Sequence, residues 1–364
     1  TSSARSRLGQ RVTFVPQDEA LALDTPLPTP TGWTTMGAVA VGDLLIGSNG
    51  MPTRVITVTG VQQDRSCYRV TFADGTAIIA SDGHQWLTKV ASSAAKPQVR
   101  RTGEMVADVR TFRVPAARPI DGPDVDLPVP PYLLGLWLGD GKTGGAEISA
   151  HRAEADELVS LLAKDGVLAR IYLPTDDRKC ASLRFSSKIG FQAQGRPAVA
   201  RALQGMACYR NKHIPEQFFR GSFAQRLALL QGLMDSDGHV TEAGFCTFAG
   251  NATLAADVVK LLRTFGLHPR AVRHVDPRAR TGDGWKVNFT PRGSLQPFRL
   301  KRKADRVRPA WPGSDWVTIS SIERVRTVPV RCVGVDSSDH LFLAGEGMHL
   351  THNTGIWTQQ SGMV

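Results

Sequence analysis

The sequence has few cysteines and no long apolar run. Its five cysteines lie far apart and never form a CxxC pair: Cys67, Cys180, Cys208, Cys246 and Cys332. An odd number of dispersed thiols argues against a disulfide framework and against a zinc knuckle. No segment approaches the about 18 apolar residues of a membrane span, and the opening TSSARSRLGQR lacks the apolar stretch of a secretory signal. We therefore expect a soluble, cytoplasmic protein with no membrane partner.

Acidic residues are scarce relative to basic ones. The 364 residues include 33 Asp and Glu against 44 Lys and Arg, which gives a net charge of +11. Hydrophobic residues make up 41% of the chain, enough for packed cores and too many for a mostly disordered protein. A chain of this length predicts two or three domains. The positive balance favours a polyanionic partner, most commonly a nucleic acid.

The character of the sequence changes twice along the chain. Residues 20 to about 90 contain short runs rich in β-branched residues, such as CYRVTFADGTAIIA, separated by turn sequences. From about residue 128, amphipathic helical patterns such as LAADVVKLLRTFGL alternate with β-like runs, and from about residue 315 the β character returns. The order predicts an α+β domain inserted into a loop of an all-β domain.

A helical motif with an acidic end occurs twice in the middle segment, as LLGLWLGDG at 133–141 and LQGLMDSDG at 230–238. Small residues, which let two helices approach closely, occupy the same places in both copies: Gly135 and Gly139 in the first, Gly232 and Ser236 in the second. If the helices pack side by side about a pseudo-twofold axis, Asp140 and Asp237 meet at one point. Two such carboxylates suit Mg²⁺ and the metal-assisted hydrolysis of a phosphodiester.

These residues resemble the single-chain LAGLIDADG homing endonucleases. The similarity extends to NKHIPEQFF, where Lys212 matches the basic residue that such enzymes place near the scissile phosphate. The first copy departs from the family at Leu138, where an acidic residue is frequent, but keeps Asp140. The resemblance implies binding and cleavage of double-stranded DNA by a monomer, with Asp140 and Asp237 as Mg²⁺ ligands. The basic stretch LKRKADRVR at 300–308 fits either phosphate neutralisation or a solvated linker.

The sequence His352-Asn353-Thr354 near the end of the chain could support cleavage and acyl transfer. An Asn side-chain nitrogen can attack its own carbonyl, and a neighbouring His can assist by proton transfer. The hydroxyl of the following Thr can accept an acyl group. Three residues alone are weak evidence, and a polar turn explains them better.

The surrounding sequence strengthens this interpretation. VPVRCVGVDSSDHLFLAGEGMHLTHNT precedes the tail, and LALDTPLPTPTGWTTM and GTAIIASDGHQWLT lie near the start. Together these segments resemble the splicing blocks of inteins, which form the all-β Hint horseshoe. The resemblance implies flanking segments at 1–19 and 354–364, a Hint domain split into 20–125 and 309–353, and the inserted LAGLIDADG domain at 126–308. The splice junctions would be Glu19–Ala20 and Asn353–Thr354.

Ala20 departs from the common intein pattern, which begins with Cys or Ser. Trp86, Cys332 and Thr351 instead match the triplet that marks class 3 inteins, in which an internal Cys attacks the upstream bond. The resemblance implies that Cys332 attacks the Glu19 carbonyl while His84 protonates the leaving amine of Ala20. Ser81 would supply an oxyanion hydrogen bond.

In the following steps, the resemblance implies that Thr354 takes the acyl group and that Asn353 cyclises with help from His352 and His340. No step needs a metal or nucleotide, and the substrate is the chain's own flanks. Two alternatives remain open at this point. The chain could be a class 1 intein inactivated at residue 20, or a homing endonuclease on a Hint scaffold that does not splice.

Overall fold

The computed structural model describes residues 19–91, 96–174, 180–185, 198–209, 211–275, 283–308 and 315–352. Asn353, Thr354 and both flanks other than Glu19 therefore lie outside the described residues. Among the residues that are described, no helix combines the length and the apolar character needed to cross a membrane.

The first part of the chain folds into short strands because its side chains alternate between a buried and a more exposed face. In Gln85–Val90, for example, every second residue is buried. Tight turns such as SNG and ADG separate the strands. The elements are β1 (Leu21–Ala22), β2 (Pro26–Thr29), β3 (Gly32–Thr35), β4 (Leu44–Ile46), β5 (Pro52–Val58), β6 (Cys67–Phe72), β7 (Ala77–Ser81), β8 (Gln85–Val90), β9 (Gln98–Arg101), α1 (Thr102–Val106) and β10 (Phe112–Pro115).

The middle of the chain mixes helices and strands. Two helices have the side-chain caps expected at an N-terminus, with Ser222 accepting from the Gln225 amide and Asn251 accepting from the Leu254 amide. The elements are α2 (Pro131–Asp140), β11 (Glu147–His151), α3 (Ala155–Lys164), β12 (Ala169–Tyr172), β13 (Cys180–Phe185), α4 (Ala198–Gly205), α5 (Phe223–Asp237), β14 (Gly238–Val240), β15 (Cys246–Gly250), α6 (Ala252–Arg263), β16 (Arg270–Val275), β17 (Asp283–Phe289) and α7 (Lys301–Ala304), with short 3₁₀ turns at Arg152–Glu154 and Glu216–Phe219.

The last part returns to strands and completes the sheet begun by the first part. Its strands are β18 (Trp316–Val325), β19 (Val330–Arg331), β20 (Val333–Val335), β21 (Leu341–Ala344) and β22 (His349–His352). The largest sheet has eight strands in the order β19-β1-β7-β6-β18-β10-β8-β9. Because β18 pairs with both β6 and β10, the two distant parts of the sequence form one domain.

The hydrophobic cores confirm an inserted domain. The largest core contains only residues from Val129 to Leu300, whereas a second core joins residues of Leu21–Val114 to residues of Val317–Ala344. Ile120, between the domains, donates its amide hydrogen to the Thr264 carbonyl at 2.8 Å. The buried guanidinium of Arg226 donates to the carbonyls of Ile120 and Thr264, which fastens the connecting segment to the inserted domain.

The inserted domain repeats one arrangement, as the pseudo-twofold prediction requires. Its sheets have the orders β11-β13-β12 and β14-β15-β17-β16, so β11, β13 and β12 correspond to β15, β17 and β16. A single bridge between Gly141 and Ile148 takes the place of the β14–β15 pairing in the first half. The predicted α+β domain with two similar halves, inserted into an all-β domain, is therefore confirmed.

Helices α2 and α5 cross at two glycines. A Cβ atom on Gly135 would overlap the Leu229 carbonyl oxygen, and one on Gly232 would overlap the Tyr132 carbonyl oxygen. The backbones are thus closer than any side chain at these positions would permit. This contact brings the ends of the two helices together.

We expect Gly135→Ala to lower the free energy of unfolding by about 1–3 kcal/mol, because the added methyl group must push two backbones apart. Urea unfolding measures this change. Gly205→Ala is the matched control, because a Cβ at this helical glycine would have no neighbour within 4 Å. Equal stability of the Gly135→Ala chain and the unsubstituted chain would contradict the close crossing.

Candidate functional site

The bond between Glu19 and Ala20 is buried at the start of β1. The antiparallel register pairs Leu21 with Arg331 and Ala22 with Val330, and its continuation sets Ala20 opposite Cys332. Ala20, Cys332, Cys67 and Val330 also form one small apolar cluster. The thiol and the upstream junction are therefore neighbours, although more than 300 residues separate them in sequence.

Ser81 holds the amide side of this junction. The Ala20 N–H donates to Ser81 Oγ at 3.1 Å, and the Ser81 N–H donates to the Ala20 carbonyl at 2.8 Å. Ser81 Oγ therefore contacts the Ala20 nitrogen, which would be the leaving group if the Glu19–Ala20 bond were cleaved. The oxyanion role expected from the sequence would instead need a hydrogen bond to the Glu19 carbonyl oxygen. That oxyanion role stays a prediction.

His84 is a fully buried ring held between two residues of the predicted triplet. Its Nε2 forms a short hydrogen bond with the Thr351 hydroxyl, and its ring meets the Trp86 ring edge-on at 4.8 Å between centroids. Trp86 Nε1 donates to the Thr102 hydroxyl at 3.0 Å, and that hydroxyl donates to the His84 carbonyl at 3.1 Å. Trp86 and Thr351 thus fix the position of His84.

Burial lowers the pKa of His84 to about 3. The backbone carbonyl of Glu19 beside the ring acts in the opposite direction and raises this pKa, while His352 lowers it slightly further. At neutral pH the ring is therefore uncharged. A neutral imidazole beside the Glu19 carbonyl can accept a proton and pass it on.

Cys332 is buried between polar groups as well as apolar ones. Its N–H donates to the Thr59 hydroxyl at 3.0 Å, and Gln62 Nε2 lies 3.8 Å from the sulfur, within range of a weak hydrogen bond. Neither Thr59 nor Gln62 carries a sequence signal, because each is a single polar residue in a loop-like stretch.

The C-terminal end of the splicing domain gathers two histidines and the Glu19 carboxylate. The His340 and His352 ring centroids are 6.0 Å apart, and His352 Nδ1 lies 3.9 Å from Glu19 Oε2. His340 adopts the left-handed conformation, with φ of 57°. The predicted partners Asn353 and Thr354 lie outside the described residues.

A second site forms where α2 and α5 end. Lys212 Nζ donates to the Gly139 carbonyl at 2.6 Å and lies above the Trp137 ring. Burial lowers the pKa of Lys212, while the charges of Asp237 and Asp140 raise it. Desolvation raises the pKa of Asp140, and the positive charges of Lys212 and Lys303 act in the opposite direction. Both predicted carboxylates and the predicted lysine therefore share one electrostatic environment.

Lys303 is a residue of this second site that the sequence did not single out. It lies in α7, within the stretch interpreted as either a linker or a phosphate-neutralising segment. Its buried ammonium donates to four carbonyls at the end of α5: Met234 at 3.0 Å, Asp235 at 2.7 Å, Ser236 at 3.2 Å and Gly238 at 2.8 Å. A cation at a helix C-terminus is favourable. Lys212 at α2 and Lys303 at α5 are thus counterparts in the two halves.

Comparisons with known proteins agree with this arrangement. A family model described as a LAGLIDADG-like domain matches residues 224–301, the second half of the inserted domain. The chain is 38% identical over 370 residues to replicative DNA helicase DnaB of Mycobacterium intracellulare, covering 93% of this chain and 59% of the helicase. It is 29% identical over 134 residues to the homothallic switching endonuclease of Saccharomyces cerevisiae, covering 31% of this chain and 22% of that protein.

The chain is similar to inteins and, over the second half of its inserted domain, to LAGLIDADG-like domains. It spans 59% of the length of the Mycobacterium intracellulare helicase that it matches. Solved structures similar to the chain include the MchDnaB-1 intein, at a TM-score of 0.32 and 22% identity over 92% of this chain and 99% of that one. They also include I-DmoI in complex with DNA and Mn, at a TM-score of 0.29 and 21% identity over 45% of this chain and 89% of that one.

The buried neutral His84 makes the stability of the chain depend on pH. Its folded pKa of about 3 lies below the ordinary value of about 6.5. Between these values the unfolded chain binds a proton that the folded chain does not, so stability falls as the pH falls from 6.5 towards 3. In a Cys332→Ala background, His84→Gln should reduce the slope of unfolding free energy near pH 5 by about 1.4 kcal/mol per pH unit.

Urea unfolding at several pH values measures this slope. The control is His151→Gln, because His151 is exposed and should leave the slope unchanged. Identical slopes for the His84→Gln chain and its parent would contradict a neutral buried His84.

Proposed function

We propose that this chain is an intein that splices itself by the class 3 route, with Cys332 as the first nucleophile. The observation that carries the proposal is the β1–β19 register, which sets the thiol opposite the upstream junction. Ala20 offers only a methyl group and cannot accept an acyl group. Cys67, the other thiol of the cluster, has its sulfur directed at the backbone carbonyls of Arg65 and Val328. Cys332 is therefore the better candidate nucleophile.

The first step exchanges an amide for a thioester. The Cys332 sulfur attacks the Glu19 carbonyl carbon, the C–N bond to Ala20 breaks, and the thiol proton passes to the released Ala20 amine. Neutral His84, beside the Glu19 carbonyl, is suited to accept that proton and deliver it. Ser81 holds the Ala20 nitrogen, and Thr351 and Trp86 keep the His84 ring in place.

The later steps transfer the acyl group and release the intein. The Thr354 hydroxyl attacks the thioester and regenerates the Cys332 thiol. The Asn353 side-chain nitrogen then attacks its own carbonyl, which frees the downstream segment with its Thr354 amine. His352 and His340 assist by proton transfer. An oxygen-to-nitrogen acyl shift finally joins Glu19 to Thr354 by a peptide bond, without a metal or nucleotide.

We further propose that the inserted domain binds and cleaves double-stranded DNA as a monomer. The chain supplies both acidic helix ends, so a second copy is not needed. The sheets turn one face towards the domain core and present basic residues on the other. On the exposed face of the first half, Arg170 of β12 lies opposite Arg184 of β13. In the second half, Arg270 of β16 and Lys286 of β17 are exposed on neighbouring strands. These cations suit a DNA backbone.

The donor set at the helix ends fits a divalent metal. Asp140 and Asp237 offer hard carboxylate oxygens, which Mg²⁺ prefers, at a place open to solvent and to phosphate oxygens. The bound ion would supply charge stabilisation and an activated water for phosphodiester hydrolysis. Lys212 and Lys303 place positive charge beside the same carboxylates.

Cys332→Ala should abolish splicing, because among the described residues Cys332 is the nucleophile set opposite the upstream junction. Electrophoresis and intact mass of the purified chain measure the products. Cys67→Ala is the matched control, since this thiol lies in the same buried cluster but should leave splicing unchanged. Persistent splicing in Cys332→Ala would rule out the class 3 route.

Asp140→Asn and Asp237→Asn should each lower Mg²⁺-dependent DNA cleavage by about 100-fold or more, through loss of a metal ligand. Cleavage of a plasmid that carries the joined flanking coding sequence measures the effect. Asp305→Asn, an exposed carboxylate in an ion pair with Lys301, is the control and should cleave normally. Both aspartate variants should still splice. Unchanged cleavage in either one would contradict the assigned site.

A further inference from the structure

One group of metal-binding side chains lies away from both sites, where the two domains meet. Asp74 is in the turn between β6 and β7, and His349 begins β22, both in the splicing domain. His268 follows α6 in the inserted domain. The side chains of Asp74 and His349 are fully buried, and that of His268 is 14% exposed.

The distances within this cluster suit a small divalent cation. Asp74 Oδ2 lies 3.4 Å from His268 Nδ1 and 3.6 Å from His349 Nε2, and one donor atom from each residue lies within 4.8 Å of the others. Tetrahedral zinc has bonds of about 2.0–2.1 Å, which separate its ligand atoms by about 3.4 Å. The distances from Asp74 Oδ2 to His268 Nδ1 and to His349 Nε2 are therefore already close to those that tetrahedral zinc requires.

Neighbouring residues orient the carboxylate and one imidazole. The Thr76 N–H and hydroxyl both donate to Asp74 Oδ1, at 2.9 and 2.6 Å, so that Oδ2 is left to face the histidines. Phe72 stacks on the His349 ring with centroids 3.6 Å apart. Supporting contacts of this kind hold metal ligands in position.

The charge of the cluster also suits a cation. Asp74 brings one carboxylate beside two imidazoles, and each of the three side chains offers one ligand atom. Arg263 faces the cluster, and exposed Glu346 offsets its charge. The surroundings are therefore not net positive.

We propose that Asp74, His268 and His349 bind a divalent transition-metal ion of the Zn²⁺ class, which joins the splicing domain to the inserted domain. Two imidazoles and one carboxylate are a donor set that such ions accept, with a fourth position open to water. The His268 and His349 rings lie nearly parallel, 4.9 Å apart. Binding therefore requires a tilt of His268, the most exposed of the three. Binding also moves the His349 Nε2 proton, which faces the Thr76 hydroxyl, to Nδ1 or to solvent.

Titration of the full chain with Zn²⁺ tests this site directly. The chain carries Cys332→Ala, which keeps it whole and removes the splicing thiol as a ligand. Excess Mg²⁺ occupies oxygen-only sites without competing for imidazoles. We expect one Zn²⁺ per chain by calorimetry and a visible Co²⁺ spectrum typical of low coordination. Zn²⁺ should also raise the midpoint of thermal unfolding.

Three variants and one control decide the outcome. Asp74→Asn, His268→Gln and His349→Gln should each weaken Zn²⁺ binding more than about tenfold. His268→Gln is decisive, because its partly exposed side chain is the easiest of the three to replace without unfolding. His274→Gln, a half-buried histidine on β16, should bind as the parent does. Binding by His268→Gln equal to that of the parent, or no Zn²⁺ binding by the parent, would overturn the proposal.

Discussion

The antiparallel pairing of β1 with β19 is the contact on which the splicing site depends. It joins the start of the splicing domain to a segment more than 300 residues later, and it sets Ala20 opposite Cys332. Neither segment could form this site alone, because each contributes one reacting group. The wider sheet, in which β18 lies between β6 and β10, holds the pair in register. The proposed chemistry therefore rests on long-range pairing of the kind that local sequence does not specify.

Insertion of a whole domain leaves this pairing intact because the two domains have separate cores. The inserted domain is organised around the α2–α5 crossing, where glycines let backbones touch and bring two helix ends together. Polar contacts between the domains include the Arg226 guanidinium on the connecting segment and the cluster of Asp74, His268 and His349. A metal ion at that cluster would make the relative position of the domains depend on metal supply.

The sequence predicted those features that leave a periodic or repeated pattern. Gly135 and Gly232 recur at matching places, so close helix packing and the meeting of the acidic ends could be predicted. The change from β to α+β and back predicted an inserted domain, and the structure confirms it. Trp86 and Thr351 could be grouped with Cys332 only through a family resemblance, because nothing in their spacing shows that both contact His84.

Residues whose roles depend on tertiary contacts do not belong to any periodic or repeated pattern in the sequence. Lys303 lies in a basic stretch whose helix and burial appear only when α7 docks on the end of α5. Gln62 and Thr59 reach Cys332 from a loop, and Thr102 holds both Trp86 and the His84 carbonyl from the start of α1. The neutral state of His84 likewise depends on burial by residues far apart in sequence.

The most direct test of the account is the intact mass of the purified chain, followed over time in reducing buffer at neutral pH. The account predicts that the whole chain disappears. A branched species should form, followed by a fragment of residues 20–353 and a peptide in which residues 1–19 are joined to residues 354–364. These products would arise without a nucleophile at Ala20. A chain that stays whole, with no branched species, while its Ala20→Cys variant splices, would contradict the Cys332 route.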